Sequence, residues 1–359
     1  MNKTIRCLMA ALLFGTLFAG CSEQAISTTQ PLKPGDYAAI LPYEVSDTRA
    51  KHIGLIADID IRTQLELGLM DLSKTYFPPS EVAYKTHAFL DYDELDATDQ
   101  SRGLLGRLKD NNPNGLNPGA DEDFDTGNGI VKGPVLVVDL YELDFYDQNT
   151  LKGISIGLAV PDSVEENGQH IEITREKMEE FLKATGAKIV SYMRERFNEI
   201  TPDIPILIAA YQMNLDDGSS SKGGYMFTEL FKGTSETDAE VVEEYMLIPS
   251  AAFSQAQPQL ASEFETFRQD IAKSLSDTSF TVGEARVQNG AVQKMTLTVS
   301  AYGKTVGETL AVIQNVREKL AVFTDENILY KVVVENNGKM VALLDRDPKS
   351  KDVQVLTVY

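Results

Sequence analysis

The chain has 359 residues and a formal net charge of −21. Such an acidic protein is repelled by nucleic acid and by anionic lipid, and the sequence has no basic patch with interleaved aromatic residues, so nucleic acid is excluded as a partner. Cys7 and Cys21 are its two cysteines, and the chain beyond residue 21 therefore forms no disulfide. Its stability has to come from a hydrophobic core, and the length suits two domains.

The first 20 residues have the layout of a secretory signal peptide. Lys3 and Arg6 form a short positive region, and residues 7–20 are almost entirely apolar. This apolar run is shorter than the roughly 20 residues that a helix needs to span a bilayer. It is therefore interpreted as a cleaved signal and not as a membrane-spanning helix.

Phe18, Ala19, Gly20 and Cys21 resemble a bacterial lipobox, with Phe18 at the position where leucine is usual. The Cys21 thiol is expected to accept a diacylglyceryl group, after which a lipoprotein-processing signal peptidase cleaves between Gly20 and Cys21. The alternative is an ordinary signal peptide with an incidental cysteine. Because two acyl chains give stable anchoring, the sequence predicts a lipid-anchored protein on the extracellular face of the cell membrane.

Residues 21–35 are predicted to form a flexible tether. They are rich in Ser, Thr, Gln and Pro and lack hydrophobic periodicity. The folded body is expected to begin near Asp36.

In the first half of the body, apolar residues at helical spacing predict a helix over 62–77, which ends before Pro78 and Pro79. Residues 110–134 are dense in Gly, Pro, Asn and Asp and predict a loop. Beyond that loop, the pattern predicts strands over 135–140, 153–160 and 204–213, with a long amphipathic helix over 178–197.

The second half repeats this order. Residues 218–224 are interpreted as a flexible break or as a hairpin loop. The remaining predicted elements are a helix over 261–275, a hairpin over 279–302 turning at Asn289-Gly290, a helix over 306–323, a strand over 328–335, a hairpin turning at Asn337-Gly338, and a last strand over 353–359.

The two halves suggest a divergent tandem duplication. Both contain strand, helix and strand in the same order, and both helices end alike, with Arg-Glu-Arg-Phe at 194–197 and Arg-Glu-Lys-Leu at 317–320. Two unrelated units of common architecture are the alternative. The predicted fold class is α+β, with two tandem, divergent α/β repeats over 36–217 and 225–359, each a mixed sheet with crossover helices packed on it.

One stretch of the second half has the ending of a phosphate-binding loop. Gly303, Lys304 and Thr305 have the right order, but Thr298 stands where such a loop needs its first glycine. Thr305 and Glu308 fit a capping box better, with the threonine at the start of a helix and the glutamate reaching back.

The acidic loop has carboxylates at alternate positions, as calcium loops do. They belong to Asp121, Asp123 and Asp125, but Thr126 and Lys132 stand where an EF-hand needs glycine and a bidentate acid. A solvated acidic loop is therefore favoured over a weak calcium site of another type.

No catalytic centre is predicted. The histidines His52, His87 and His170 are scattered and lack the spacing of zinc ligands, and no nucleophile elbow is present. The sequence therefore predicts no cofactor, no metal and no enzyme activity, and it argues against an exported hydrolase.

The body resembles the CamS family of sex-pheromone lipoproteins of Gram-positive bacteria. The resemblance is carried by extended local matches rather than by a catalytic motif. The matching segments are residues 35–50, 71–79, 115–118, 151–160, 192–197, 204–212, 247–253 and 306–320.

The resemblance implies two tandem repeats and an unusual role for the signal peptide. In this family the cleaved signal is trimmed to a short hydrophobic peptide that induces plasmid conjugation, and the corresponding segment is residues 14–20. The implied partner is a peptide receptor in recipient cells. Two alternatives stay open: residues 14–20 are only the apolar part of the signal, or the protein is a surface binding lipoprotein for a small ligand or peptide.

Overall fold

A computed structural model describes residues 26–96, 102–216, 218–233, 235–275 and 280–358. The signal peptide, the lipobox residues Phe18, Ala19, Gly20 and Cys21, and the segment 14–20 lie outside the described residues. Within the described ranges no helix is both long enough and apolar enough to span a membrane.

Helices and strands are interspersed along the described chain. The helices are α1 (Asp47–His52), α2 (Ile59–Ser73), α3 (Tyr92–Asp96), α4 (Arg175–Arg196), α5 (Ala251–Ala256), α6 (Pro258–Leu275) and α7 (Val306–Lys319). The strands are β1 (Ser27–Thr28), β2 (Ala38–Leu41), β3 (Ala83–Thr86), β4 (Asp123–Asp125), β5 (Ile130–Lys132), β6 (Asp139–Asp147), β7 (Thr150–Pro161), β8 (Ser163–Glu166), β9 (Gln169–Glu172), β10 (Ile206–Met213), β11 (Gly223–Lys232), β12 (Ser235–Glu240), β13 (Glu243–Ile248), β14 (Phe280–Gln288), β15 (Ala291–Ala301), β16 (Leu329–Asn336), β17 (Lys339–Arg346) and β18 (Gln354–Thr357).

The first sheet has eight strands in the order β1-β2-β3-β6-β7-β10-β11-β12. Its central strands β7 and β10 are parallel, with Ile156 opposite Ile208, and α4 connects them. Buried residues of α4 pack on one face of the sheet, and Leu65 and Leu69 of α2 pack on the other face. Both faces are therefore covered.

The second sheet has six strands in the order β13-β14-β15-β16-β17-β18. Its central strands β15 and β16 are also parallel, with Leu297 opposite Val332, and α7 connects them. One face packs in a core with residues of α5, α6 and α7. On the opposite face side chains such as Thr298 and Val333 stay partly exposed.

The mixed sheets and crossover helices confirm the predicted fold class. In each half, a parallel pair joined by a helix is flanked by antiparallel strands, as β6-β7-β10-β11 and as β14-β15-β16-β17. The hairpins predicted at Asn289-Gly290 and Asn337-Gly338 are present, and all four turn residues have positive φ, as this type of turn requires.

The strand predicted over 135–140 is displaced. It begins at Asp139 and continues to Asp147. The backbone N–H groups of Leu136 and Val137 donate to Asn117 Oδ1 at 2.7 and 2.8 Å. Because this side chain takes the donors that a strand ladder would use, the segment before Asp139 is irregular.

The first sheet extends past the predicted end of the first repeat at 217. Strands β11 and β12 belong to this sheet, and β11 pairs antiparallel with β10 along its length. The loop at 218–224 is therefore a hairpin loop, one of its two predicted alternatives. The change of sheet falls between Glu240 and Glu243 rather than at residue 225.

The predicted flexible tether over 21–35 is too long. Ser27 and Thr28 pair with β2, and the N–H of Thr29 donates to Ala39 O at 2.9 Å. Further on, Lys33 Nζ lies 3.8 Å from Asp347 Oδ1, beside the second sheet. Backbone pairing thus holds the chain against the body from Ser27 onward.

Candidate functional site

A cavity of about 370 Å³ lies beside the first sheet, near its amino-terminal edge strands. This volume is within the range of small-molecule sites, roughly 300–1,000 Å³. We call it the edge cleft. Four parts of the chain line it: the loop from β2 into α1, the end of β3 with the loop that follows, one side chain of β6, and one residue beyond α4. The lining residues are Ile40, Pro42, Tyr43, Glu44, Val45, Ser46, Asp47, Thr48, Lys85, Thr86, His87, Ala88, Phe89, Asp91, Tyr146 and Glu199.

Two local contacts shape the loop between β2 and α1. The hydroxyl of Ser46 accepts a hydrogen bond from the N–H of Arg49 at 3.2 Å and so begins α1. The hydroxyl of Tyr43 lies 3.4 Å from that of Thr86 at the end of β3. The second contact links the loop after β2 to the end of β3.

The wall after β3 is held by two buried acids of β6. The carboxylate of Glu142 accepts the N–H groups of Phe89 and Leu90 at 3.0 and 2.7 Å, and that of Asp144 accepts the N–H of Ala88 at 2.9 Å. Burial, added to the nearby Asp144 charge, raises the pKa of Glu142 well above its usual value. Burial also raises the pKa of Asp144 to about 6. The pair therefore retains a proton more readily than exposed acids do.

His87 belongs to the same wall and is uncharged near neutral pH. Its Nδ1 lies 2.9 Å from Leu90 O, and its Nε2 accepts the N–H of Glu142 at 3.3 Å. These partners require the proton to sit on Nδ1. Burial, followed by the positive charge of Arg49, lowers the pKa of His87 to about 4.

A second buried network fastens α1 to the sheet behind the edge cleft. Arg49 donates two hydrogen bonds to Asp139, at 2.7 and 2.8 Å, and its guanidinium lies 4.1 Å from the ring centre of Tyr141. His52 Nε2 lies 2.7 Å from Asp96 Oδ2. The position of α1, and with it one wall of the edge cleft, depends on these charged contacts.

Several polar groups of the edge cleft are already engaged. Asp47 pairs with Lys51 at 2.6 Å. Asp91 accepts the N–H groups of Asp93 and Glu94 at 2.9 and 3.1 Å at the start of α3. These two carboxylates thus contribute charge to the edge cleft while serving as structural acceptors.

Two other carboxylates have no such engagement. Among the described residues, the side chains of Glu44 and Glu199 make neither a hydrogen bond nor an ion pair. Thr48 is only 1% exposed and also lines the edge cleft.

The sequence-predicted acidic loop lies elsewhere. It forms the short hairpin of β4 and β5, where Asp123 pairs with Lys132 at 2.7 Å and Asp125 with Lys177 at 3.1 Å. Lys132 Nζ also donates to the backbone oxygen of Asp121 at 3.4 Å. In the part of the chain that the structure describes, no group of three or more His, Cys, Asp or Glu side chains is placed to hold a metal ion.

The predicted capping box at the start of α7 is confirmed. Thr305 accepts the N–H of Glu308 at 3.4 Å, and Glu308 accepts the N–H of Thr305 at 2.8 Å. The segment at Gly303 therefore begins a helix rather than cradling a phosphate.

Sequence reasoning missed the edge cleft because its walls come from distant segments. His52 and His87 are far apart in the sequence, yet both support walls of this one cavity, whereas His170 lies on the exposed strand β9. The available signal is the presence of Asp139, Glu142 and Asp144 among the apolar residues of β6, since buried acids need specific partners.

The two mixed sheets and the ligand-sized cleft define a class of tandem α+β proteins with one elaborated half. The chain belongs to the CamS family: the family model described as "CamS sex pheromone cAM373 precursor" matches residues 43–352. No curated protein sequence matches the chain.

Solved structures share this fold. A sex pheromone precursor from Lactobacillus salivarius subsp. salivarius UCC118 is 20% identical, with a TM-score of 0.79 over 92% of this chain and 98% of that chain. The C-terminal domain of the sex pheromone staph-cAM373 precursor from Staphylococcus aureus is 21% identical, with a TM-score of 0.70 over 85% of this chain and 98% of that chain.

Proposed function

We propose that this chain is a lipid-anchored extracellular lipoprotein and the precursor of a peptide sex pheromone. The observation that carries the proposal is the family match over residues 43–352, because that family is described by a pheromone precursor. The lipobox residues Phe18 to Cys21 supply the chemistry: the Cys21 thiol accepts the diacylglyceryl group, and cleavage before Cys21 then releases the signal peptide and leaves the lipidated cysteine at the new amino terminus.

Residues 14–20 form the proposed pheromone segment. Its side chains are uncharged, which suits passage through a membrane and uptake by a peptide receptor of a recipient cell. A cut between Gly20 and Cys21 would define its carboxyl end, and trimming before Phe14 would define its amino end.

The anchor also sets how close the body lies to the membrane. The chain from Cys21 to Ser27 extends about 20 Å at most, and Ser27 pairs with the edge strand β2. Under this proposal the edge cleft lies on the side of the body nearest to the lipid.

Mass spectrometry of cell-free culture medium tests the pheromone proposal. The expected result is a peptide of residues 14–20, or a form one residue longer or shorter, that is lost from cells carrying Cys21→Ala. A wild-type culture without any such peptide, at a sensitivity set by a synthetic standard, would contradict it.

The edge cleft favours a second role, for the body itself. A cavity of about 370 Å³ lined by both aromatic and polar side chains is suited to holding a small ligand. We propose that the anchored body is a surface binding module rather than an enzyme. A rise in melting temperature with a ligand, abolished by substitutions that line the edge cleft, tests this role.

A further inference from the structure

We propose that a second copy of this chain packs against the second sheet, on the face that its helices leave open. The open face consists of those side chains of β14 to β18 that point away from the core formed with α5, α6 and α7. This inference goes beyond the proposed function, and it depends neither on the edge cleft nor on the fate of the signal peptide.

The open face contains an apolar row that crosses five strands. The strand register places Val282, Thr298, Val333, Leu343 and Leu356 side by side. Val282 is 51% exposed and Leu356 is 63% exposed at the two ends of the row, and the three residues between them are partly buried. A contiguous exposed apolar surface of this kind is typical of an interaction site, unlike single exposed residues.

Further exposed apolar side chains adjoin this row. Phe280 lies two residues before Val282, and its ring centre is 6.5 Å from that of the exposed Tyr302. Val358 lies two residues beyond Leu356 and is also exposed. Because side chains two residues apart on a strand point to the same face, these residues enlarge the apolar part of the open face.

The first sheet shows how such a face is covered in this protein. Its corresponding face packs in a core with α2. Where α2 meets the second sheet its contacts are polar, because Gln64 donates to Glu284 at 2.8 Å and Asp71 pairs with Arg286. Among the described residues, the apolar row of the second sheet has no helix in the place that α2 takes on the first.

The charges of the open face favour a copy of this acidic chain. The whole chain carries a net charge of −21, so two copies repel each other over most of their surface. The open face has three acidic and three basic side chains, which are Glu284, Glu335, Asp345, Arg286, Lys294 and Lys331. Two copies therefore approach with the least repulsion here, and a twofold contact can set lysines of one copy opposite acids of the other.

The size of the open face is of the order that a stable dimer needs. Five strands about 4.8 Å apart and eight residues long give a planar outline of about 600 Å², and the side chains that stand on it raise its accessible area. A stable interface buries about 800 Å² per partner. Two such faces can pack as the two layers of a β-sandwich, with interdigitated side chains.

Crosslinking on intact cells that produce the full chain tests this contact. Val333→Cys places a thiol on the middle strand of the open face, and a bis-maleimide with a spacer longer than the roughly 10 Å between packed sheets joins two copies. Ile130→Cys is the matched control, since Ile130 is 57% exposed on β5 in the first half. Wild-type cells, whose chain has only Cys7 and Cys21, set the background.

We expect a band of twice the chain mass from Val333→Cys and none from Ile130→Cys. Absence of the band from Val333→Cys, or an equal band from the control, would overturn the proposal. The second outcome would show random collision of copies in the membrane.

Charged variants connect the band to the apolar row. In the Val333→Cys background, Val282→Asp with Leu356→Asp adds acids that repel across the contact, and we expect the band to be lost. Ile130→Asp in the same background is the control and should keep it. Val282→Ser with Leu356→Ser, which should weaken the band, replaces the charged variant if circular dichroism shows that variant to be unfolded. A band that persists in a folded variant would overturn the open face as the site.

The lipid bilayer is the other surface that could cover an apolar face. A small water-soluble maleimide measures the access to Val333→Cys on intact cells and again after detergent extraction. A thiol that is protected on cells, without a crosslinked band, would assign the open face to the lipid and overturn the second copy. A thiol that reacts equally in both states, also without a band, would show an uncovered face and overturn it too.

Discussion

The two sheets have the same order of central strands, but they differ in whether helices cover their second face. In the first sheet, β10 is buried almost without interruption, because α4 covers one face and α2 the other. In the second sheet, β16 alternates between buried and partly exposed side chains, because its helices lie on one face. The sequences reflect this: the run at 206–211 is continuously apolar, whereas that at 293–300 alternates.

The edge cleft and the charged pairs that support it lie in the first half, around segments that the second half lacks. The edge cleft, the Arg49–Asp139 pair and the Glu142–Asp144 pair involve α1, β3 and the loops around them. In the second sheet β13 takes the position of β3, but within the described residues no strands corresponding to β1 and β2 lie beyond it. The strand arrangement common to both sheets thus forms a rigid framework, and the segments present only in the first half form the site.

Substitutions that shorten a side chain on the second face of each sheet should give the largest difference in stability between the two sheets. Leu207 is fully buried and packs in the core with α2, so Leu207→Ala should lower the free energy of unfolding by about 3–4 kcal/mol. Val333 on the open face is only partly buried, and Val333→Ala should cost below about 1 kcal/mol. Urea denaturation measures both, and equal losses would refute the contrast between the faces.

Arg286 makes one of the contacts between the two halves, beside the hydrogen bond from Gln64 to Glu284 and the backbone bridge of Ser221 with Met246. Arg286 of β14 lies between Asp71 of α2 at 2.5 Å and Glu243 of β13 at 2.7 Å, and the Glu243 side chain is fully buried. Arg286→Met leaves that carboxylate without its partner and should cost about 2–3 kcal/mol. Lys331→Met removes the partly exposed pair with Asp345 and should cost below about 1 kcal/mol. Chemical denaturation would contradict the account if the two variants lost equal stability.

The buried acids of β6 should make stability depend on pH. Because burial raises the folded-state pKa of Asp144 to about 6, the native protein keeps a proton that the unfolded chain has already lost. Stability should therefore fall as pH rises from about 4 through about 6. Asp144→Asn retains an acceptor for the Ala88 N–H and should be more stable than the wild type at pH 8 by roughly 1–2 kcal/mol.

An exposed residue of the same strand is the control for this pH effect. Asp147 pairs with Lys152 at 3.7 Å and is half exposed, so Asp147→Asn should leave the pH profile unchanged. Thermal unfolding between pH 4 and pH 8 measures the slope. A slope that persists in Asp144→Asn would show that this carboxyl does not contribute to it.

The smallest expected difference in stability concerns the first residues of the crossover helices α4 and α7. Thr174 and Thr305 are the N-cap residues of α4 and α7, but the residue three positions on is Lys177 in the first and Glu308 in the second. Only the second can form a reciprocal capping box. Thr305→Ala should cost about 1 kcal/mol, and Thr174→Ala less. Calorimetric melting temperatures compare the two, and a larger loss for Thr174→Ala would reverse the expected order.

Features fixed by local chemistry could be predicted from the sequence. The turns at Asn289-Gly290 and Asn337-Gly338 and the cap at Thr305 depend on residues adjacent or nearly adjacent in the chain. The long crossover helix α4 was likewise visible in its apolar periodicity. In these cases the local preference and the tertiary environment agree.

Features fixed by distant contacts could not be predicted in this way. The start of β6 depends on Asn117, which takes the N–H groups of Leu136 and Val137. The walls of the edge cleft depend on pairs such as Arg49 with Asp139 and Leu90 with Glu142. The sequence indicates that a buried acid needs a partner, but it does not show which distant residue that partner is.

The mass of the mature amino terminus tests the central claim most directly. The protein is extracted from membranes with detergent and digested, and its amino-terminal peptide is measured by mass spectrometry. A peptide that begins at Cys21 and carries a diacylglyceryl group is the predicted result, since both the anchor and the release of residues 14–20 require that cut. A peptide that begins elsewhere, or an unmodified Cys21, would contradict the account.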